Sequence, residues 1–182
     1  IIAAKKVFSN LQIWQTSLYT AHLAKSIGEQ LNYPAQKLSN LYIATLMHFI
    51  GPLIFKTFYA KDYKSIEKIT IHNNDDYYEI SRKEKEIFTL SGLELSFKIG
   101  EAYKLPKQIQ RLLKNQIHHW KSEEFTQENA IILTAKLISD TECSDEKDLE
   151  ETLDDKFLEN FQLDHIELKS SMLKTLEKNI SH

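Results

Sequence analysis

Apolar side chains recur every three or four residues along most of the chain, which is the spacing of one face of an α-helix. The clearest case covers residues 11–31 and predicts a first helix. Its inward-facing residues are predicted to be Trp14, Leu18, Ala21, Ala24, Ile27 and Leu31.

A second helix is predicted to start at Pro34. Proline suits the first turn of a helix because its missing amide hydrogen would have no partner there. The helical pattern then continues to a predicted break at Gly51-Pro52. Residues 43–55 are too rich in apolar side chains for a solvent-facing element, so we expect them at the centre of the core.

The middle of the chain is less regular. Residues 62–71 are predicted to be helical, and residues 73–76 to form a loop. Residues 81–84, Ser-Arg-Lys-Glu, have the arrangement of a capping box, in which serine and glutamate satisfy free backbone amides. A helix is therefore predicted from residue 82 to about residue 90.

Further helices are predicted downstream. One covers residues 93–103 with Ile99 and Ala102 facing inward, and the next starts at Pro106 and buries Ile109, Leu112 and Leu113. Residues 130–139 are apolar enough to form a buried helix. An acidic connection over 144–155 and a last helix over 164–179 complete the pattern.

Composition supports an all-helical domain. The 182 residues include only four glycines and three prolines, whereas an all-β chain of this length would need many more turn residues. The length suits one domain, or one domain with an appendage. We therefore predict an all-α bundle over residues 1–142, and over 143–182 an acidic connection and a helix that packs on the same domain.

Charge and apolar content restrict the partners. A net charge of −3, with both signs mixed, gives no broad cationic surface for nucleic acid. The single cysteine, Cys143, excludes an internal disulfide. No run of about 18 apolar residues and no signal-peptide pattern is evident. We expect a cytoplasmic protein with no membrane partner and, since the first residue is not Met, a part of a longer protein.

An ordered set of short motifs over residues 11–140 resembles the HDOD family, a degenerate branch of the HD phosphohydrolase superfamily. Residues 14–17 are similar to the family's Trp-x-x-Ser helix, and residues 46–51 to its Leu-Leu-His-Asp-Ile-Gly turn. Gly92 and Gly100, the Tyr-Lys-Leu-Pro at 103–106 and the pair His118-His119 are similar to its downstream motifs. The resemblance implies an HD-like helical bundle that lacks the family's first helices.

The resemblance also implies where a metal site would lie. HD phosphohydrolases hold a divalent metal with an early His, an adjacent His-Asp pair and a later Asp, so that bound water becomes a nucleophile. Carried over residue by residue, these positions fall at Thr16, at His48-Phe49 and near Lys136. Phe49 has no lone pair and Lys136 is a cation. We therefore predict a vestigial HD motif with no metal, no other cofactor and no catalytic residue.

The histidines are the remaining candidates for a ligand pocket. His48 is predicted to be a core histidine with both ring nitrogens hydrogen bonded. His118 and His119 are predicted to lie at a helix end, with metal binding as a minor alternative because adjacent helical residues point in different directions. The other four are predicted to lie on the surface: His22, His72, His165 and His182.

Three functions are compatible with these features. The first is a non-catalytic regulatory module of bacterial signal transduction that binds a protein partner or a small ligand, with contact residues among four aromatics predicted to be exposed, Tyr59, Tyr63, Tyr77 and Tyr78. The alternative is a residual metal-dependent phosphohydrolase that acts on nucleotides or cyclic dinucleotides. The third is a sensor whose vacated metal cavity binds a small nucleotide without turnover.

Overall fold

A computed structural model describes residues 2–140 and 154–163, with the side chains of residues 13–140 and 154–163. The regular structure in that part of the chain is entirely α-helical, which confirms the predicted all-α bundle. Its nine helices are α1 (Ile2–Gln30), α2 (Ala35–His48), α3 (Ile50–Phe58), α4 (Ala60–Tyr63), α5 (Asp76–Phe88), α6 (Gly92–Ala102), α7 (Lys107–Asn115), α8 (Gln127–Asp140) and α9 (Asp155–Asn160).

Helix α1 packs along α2 and α8, and these three helices enclose the main core. Ala21, Ala24 and Ile27 of α1 are fully buried, as their spacing predicts. Trp14 and Leu18 are not, because 49% and 42% of their surfaces remain exposed. The predicted inward face of α1 is therefore correct only for its second half.

The break between α2 and α3 comes earlier than predicted. Helix α2 ends at His48 and α3 begins at Ile50, so that Gly51 and Pro52 lie in the first turn of α3. The cause is a close crossing of α3 and α6, since a Cβ on Gly51 would lie 1.9 Å from the carbonyl oxygen of Gly92. The hydroxyl of Ser96 bridges the break, accepting from the Gly51 N–H and donating to the His48 carbonyl oxygen.

The predicted capping box at residues 81–84 is wrong. These residues lie inside α5, and a capping box forms instead at the start of α6, between Ser91 and Glu94. The same Ser-x-x-Glu spacing occurs in both places, and only packing decides between them. Tyr77, in the first turn of α5, is buried in the main core and holds that helix in place well before Ser81.

Other boundaries differ in detail. The predicted helix over 62–71 is reduced to the single turn of α4 followed by turns. Ala102 is exposed, and α6 instead turns Ser96 and Gly100 inward. In contrast, α7 buries Ile109, Leu112 and Leu113 as predicted, and α8 is buried along most of its length.

Residues 154–163 pack on the bundle. The Phe157 ring is fully buried and meets Trp120 edge to face at 5.5 Å, and Phe161 meets Phe125 at the same distance. Cys143, most of the predicted acidic connection and the predicted helix over 164–179 lie outside the described residues.

One stretch, Ala35–Phe58, is long and apolar enough to cross a membrane by length and composition alone, with a mean hydropathy of 1.5. The stretch is not an unbroken apolar run, because it includes Lys37, Asn40 and Lys56. The core helix of a folded protein meets the same criterion. Here the stretch is interrupted after His48, and Leu41, Ala44 and Phe55 are buried within the fold.

Candidate functional site

A cavity of about 300 Å³ lies beside the break between α2 and α3. Its wall is built from α1 to α6 and α8, from the turns that follow α4, and from Gln116 after α7. Three of the four residues carried over from the HD motif are close to it. His48, Phe49 and Lys136 line the cavity, whereas α1 contributes Ile13 and not Thr16.

Lys136 places a positive charge in this cavity. Its Nζ lies 4.0 Å from the centre of the Tyr77 ring and 5.6 Å from that of Phe49. The same atom donates to Asp140 Oδ2 at 2.6 Å, and the Tyr77 hydroxyl donates to that oxygen at 2.8 Å. The ammonium group is thus held by one carboxylate and two aromatic faces, which are the surroundings that a cation prefers away from bulk water.

His48 is 3% exposed, and its ring packs edge to face on Phe49 at 5.6 Å. Among the residues that the structure describes, Nδ1 has no hydrogen-bond partner, so the prediction that both ring nitrogens would be bonded is wrong there. The hydroxyl of Ser96 bonds the backbone carbonyl of His48, not its ring. Burial, with a smaller effect from the charge of Lys136, lowers the pKa of His48 to about 3. The imidazole is therefore neutral at physiological pH.

Glu84, which sequence reasoning placed in a capping box, is a buried part of the same wall. One carboxylate oxygen accepts from the Tyr63 hydroxyl at 2.7 Å and the other from the Gly92 N–H at 2.6 Å. Burial raises the pKa of Glu84, although these two hydrogen bonds oppose the shift. An acidic residue inside a predicted helix gives no sign of this role, because its two partners are distant in sequence.

The described residues contain no group of three or more His, Cys, Asp or Glu side chains placed to hold a metal ion. The acidic groups that line the cavity have partners of their own. Asp140 and Glu84 are bonded as above, and Glu67 lies 3.6 Å from the ammonium of Lys56. Within this part of the chain, His48 has no neighbouring ligands with which to complete a metal site.

His118 and His119 lie elsewhere. Helix α7 ends at Asn115, so the pair follows the helix rather than ending it, and neither residue lines the cavity. The His119 ring stacks on Tyr78 at 4.4 Å, and its Nε2 lies 3.2 Å from Asp75 Oδ1. These surface contacts connect the start of α5 to the turn after α7.

The predicted exposed tyrosines divide into two groups. Tyr59 is 50% exposed, but Tyr63 and Tyr77 are 4% and 7% exposed, and their hydroxyls bond Glu84 and Asp140. Their proposed role as surface contacts is therefore wrong. Tyr78 is partly buried against His119. Of the predicted surface histidines, His72 is exposed, His22 is half-buried against the Tyr42 ring, and His165 and His182 lie outside the described residues.

The helical bundle and the ordered motifs along it are those of an HD-related domain. Residues 2–119 match the HDOD domain, and the chain therefore belongs to the HDOD family. The matched range contains Thr16, His48 and Phe49 and ends before Lys136. No curated protein and no solved structure matches the chain.

Proposed function

We propose that this protein is a non-catalytic signal-transduction domain of the cytoplasm, which acts by binding a partner or a small ligand and not by hydrolysis. The observation that supports this most directly is the position of Lys136. Its ammonium group lies against Phe49, beside the one histidine that the HD motif retains. This charge already lowers the pKa of His48, and it would also disfavour a divalent cation bound to His48 in a poorly solvated site.

The neighbouring residues support the same conclusion. Phe49 offers no lone pair where the HD motif has a carboxylate, and the nearest carboxylate to Lys136, that of Asp140, already accepts two hydrogen bonds. Activation of water for phosphoryl chemistry needs a metal with several oxygen or nitrogen ligands and an open position. A single buried imidazole does not supply these.

The first test is the metal content of the full chain, purified without chelator, together with its hydrolysis of bis(4-nitrophenyl) phosphate. We expect less than stoichiometric iron, manganese and zinc, and no hydrolysis above that of buffer. Stoichiometric metal with turnover that disappears in His48→Asn would establish the alternative, a residual metal-dependent phosphohydrolase, and end this proposal.

A reversion experiment sharpens the test. The combined change Phe49→Asp and Lys136→Asp places two carboxylates in the cavity wall with His48, and we expect this variant to take up metal when the native chain does not. The matched control introduces two aspartates at the exposed residues Phe58 and Lys98, where added charge builds no site. Equal metal uptake by the native chain and the reverted variant would contradict the role given to Phe49 and Lys136.

A further inference from the structure

An exposed aromatic pair lies where α3 ends and α4 begins. Phe58, the last residue of α3, is 76% exposed, and the adjacent Tyr59 is 50% exposed. We propose that this surface binds an anionic lipid bilayer, with the two aromatic side chains in the bilayer interface and neighbouring lysines against the lipid headgroups. The inference goes beyond the proposed function, because neither aromatic residue lines the cavity.

Three exposed lysines follow the aromatic pair, and we call them the lysine stripe: Lys61, Lys64 and Lys68. Residues 59–69 form successive turns, with backbone hydrogen bonds that span three or four residues. Tyr63 and Ile66 are the buried residues of these turns. The lysines are spaced by three and four residues and avoid the buried positions, so that they share the outward face of the turns.

The charge of the lysine stripe is not cancelled by its neighbours. Residues 56–68 include four lysines and two acidic residues, a net charge of +2 in a chain whose net charge is −3. One of the acidic residues, Glu67, lies 3.6 Å from the ammonium of the fourth lysine, Lys56. Among the described residues, the lysines of the stripe form no ion pair. Their charge is therefore available to anionic headgroups.

This combination of side chains favours a bilayer over other anionic partners. Apolar rings are buried at the boundary of the acyl chains while ammonium groups stay in water at the headgroups, which is how surface-bound proteins are anchored. Specific nucleic-acid contacts rely mostly on arginine, and residues 56–68 contain none. Two apolar side chains are also few for a stable protein interface, which covers about 800 Å² on each partner.

The sequence-based expectation of no membrane partner rests on the lack of a long apolar run. A surface anchor does not need one, because it enters only the interface and does not cross the bilayer. The aromatic pair and the lysine stripe form a small anchor, so we expect weak and reversible binding.

Co-sedimentation of the full chain with lipid vesicles tests the proposal. We expect binding to vesicles of phosphatidylcholine and phosphatidylglycerol, no binding to phosphatidylcholine alone, and release at high salt. Phe58→Ser should weaken binding about tenfold, because one phenylalanine returns to water. Tyr103→Ser is the control, since Tyr103 is 79% exposed but has no exposed aromatic neighbour in sequence.

A charge reversal tests the lysine stripe separately. Changing all three of its lysines to glutamate should abolish binding to the anionic vesicles. The matched control makes the same change in net charge at three exposed lysines elsewhere, Lys98, Lys104 and Lys114. This control should keep most of the binding, because exposed charges more than about 10 Å from the lipid are screened by salt.

Insertion of the aromatic pair has its own readout. The fluorescence of Phe58→Trp should shift to shorter wavelength on anionic vesicles, whereas that of Tyr103→Trp should not. The proposal is overturned if the native chain binds no anionic vesicles, if it binds neutral vesicles equally well, or if the two triple-lysine variants bind alike. Tighter binding to poly-glutamate or to polyuridylate than to vesicles would also overturn it, in favour of an acidic protein or a nucleic acid.

Discussion

His48 and His119 sit in opposite environments. His48 is 3% exposed, and its Nδ1 has no hydrogen-bond partner within residues 13–140 and 154–163. The side chain of His119 is 40% exposed, yet Nδ1 accepts from the Lys121 N–H and Nε2 lies 3.2 Å from Asp75. The deeper residue therefore has the poorer polar environment. Helix packing thus buries the His48 ring without providing a partner for Nδ1 among the described residues, whereas both ring nitrogens of His119 lie within reach of a polar group.

Mutations near His48 should therefore destabilise the fold more than mutations near His119. Around His48, mutations change buried groups or a tightly packed helix crossing, where losses of unfolding free energy are typically large. Around His119, changes act on an exposed contact with the Asp75 carboxylate, and even a charged contact of this kind typically contributes only between 0 and about 1 kcal/mol. The following predictions test this contrast in order of decreasing effect.

The largest effect is expected for Gly51→Ala. Its Cβ would lie 1.9 Å from the Gly92 carbonyl oxygen, and backbone cannot yield as a side-chain tip can. We expect a loss of about 3 kcal/mol or more of unfolding free energy, or failure to fold. Urea unfolding followed by circular dichroism measures it. Gly28→Ala is the matched control, because there the close atom is the end of the Leu38 side chain; equal losses in the two variants would contradict the tight crossing.

Lys136→Met should come next. The change removes a cation that is 2.6 Å from Asp140, where the side chains are 14% and 19% exposed. Because Asp140 would keep only the Tyr77 hydroxyl, we expect a loss of about 2 kcal/mol. The pKa of His48 should also rise, since the charge of Lys136 contributes to its depression. Lys98→Met, at an exposed lysine, is the control, and a similar loss there would remove the special role of Lys136.

Stability should depend on pH through His48. The unfolded chain binds a proton near the ordinary histidine pKa of about 6.5, whereas the folded pKa is about 3. The stabilising contribution is therefore complete above the unfolded pKa and is lost as the pH falls. Between pH 6.5 and 5.5 we expect a loss of about 1 kcal/mol that is absent in His48→Leu. Unfolding titrations at both pH values measure it, and parallel pH curves for the two proteins would refute a buried neutral imidazole.

The smallest effect is expected for His119→Ala. The change removes an exposed contact with Asp75 and a ring stacked on Tyr78. We expect a loss of unfolding free energy below about 1 kcal/mol, measured by urea unfolding. If His119→Ala lost as much unfolding free energy as Lys136→Met, the predicted difference between the two sites would be wrong.

The sequence predicted the parts of the structure that depend on local spacing. The 3.6-residue period identified α1, α2, α7 and α8, and the motif resemblance anticipated the positions of His48, Phe49 and Lys136, which line one cavity. It did not predict contacts between distant residues. Helices α3 and α6 cross at Gly51 and Gly92, next to the point where α2 ends earlier than predicted. No local sequence pattern marks these two glycines as a contacting pair.

The errors in side-chain roles have the same origin. Two Ser-x-x-Glu segments, 81–84 and 91–94, have the same spacing. They differ in tertiary contacts, because Glu84 accepts hydrogen bonds from Tyr63 and Gly92 and is not free to cap a helix. Tyr63 and Tyr77 have polar neighbours in sequence, yet both are buried. Their carboxylate partners lie 21 and 63 residues away. Local pattern cannot reveal such pairs.

The carboxylate of Glu84 connects three helices through its two oxygens. One carboxylate on α5 holds the hydroxyl of Tyr63, at the end of α4, and the first amide of α6, that of Gly92. Tyr63 and Glu84 both face the cavity, and Gly92 presses directly on Gly51. The Tyr63 side chain in the cavity wall and the N-terminus of α6 therefore depend on the same carboxylate. Loss of the Glu84 side chain would free both groups at once, next to the point where α6 crosses α3.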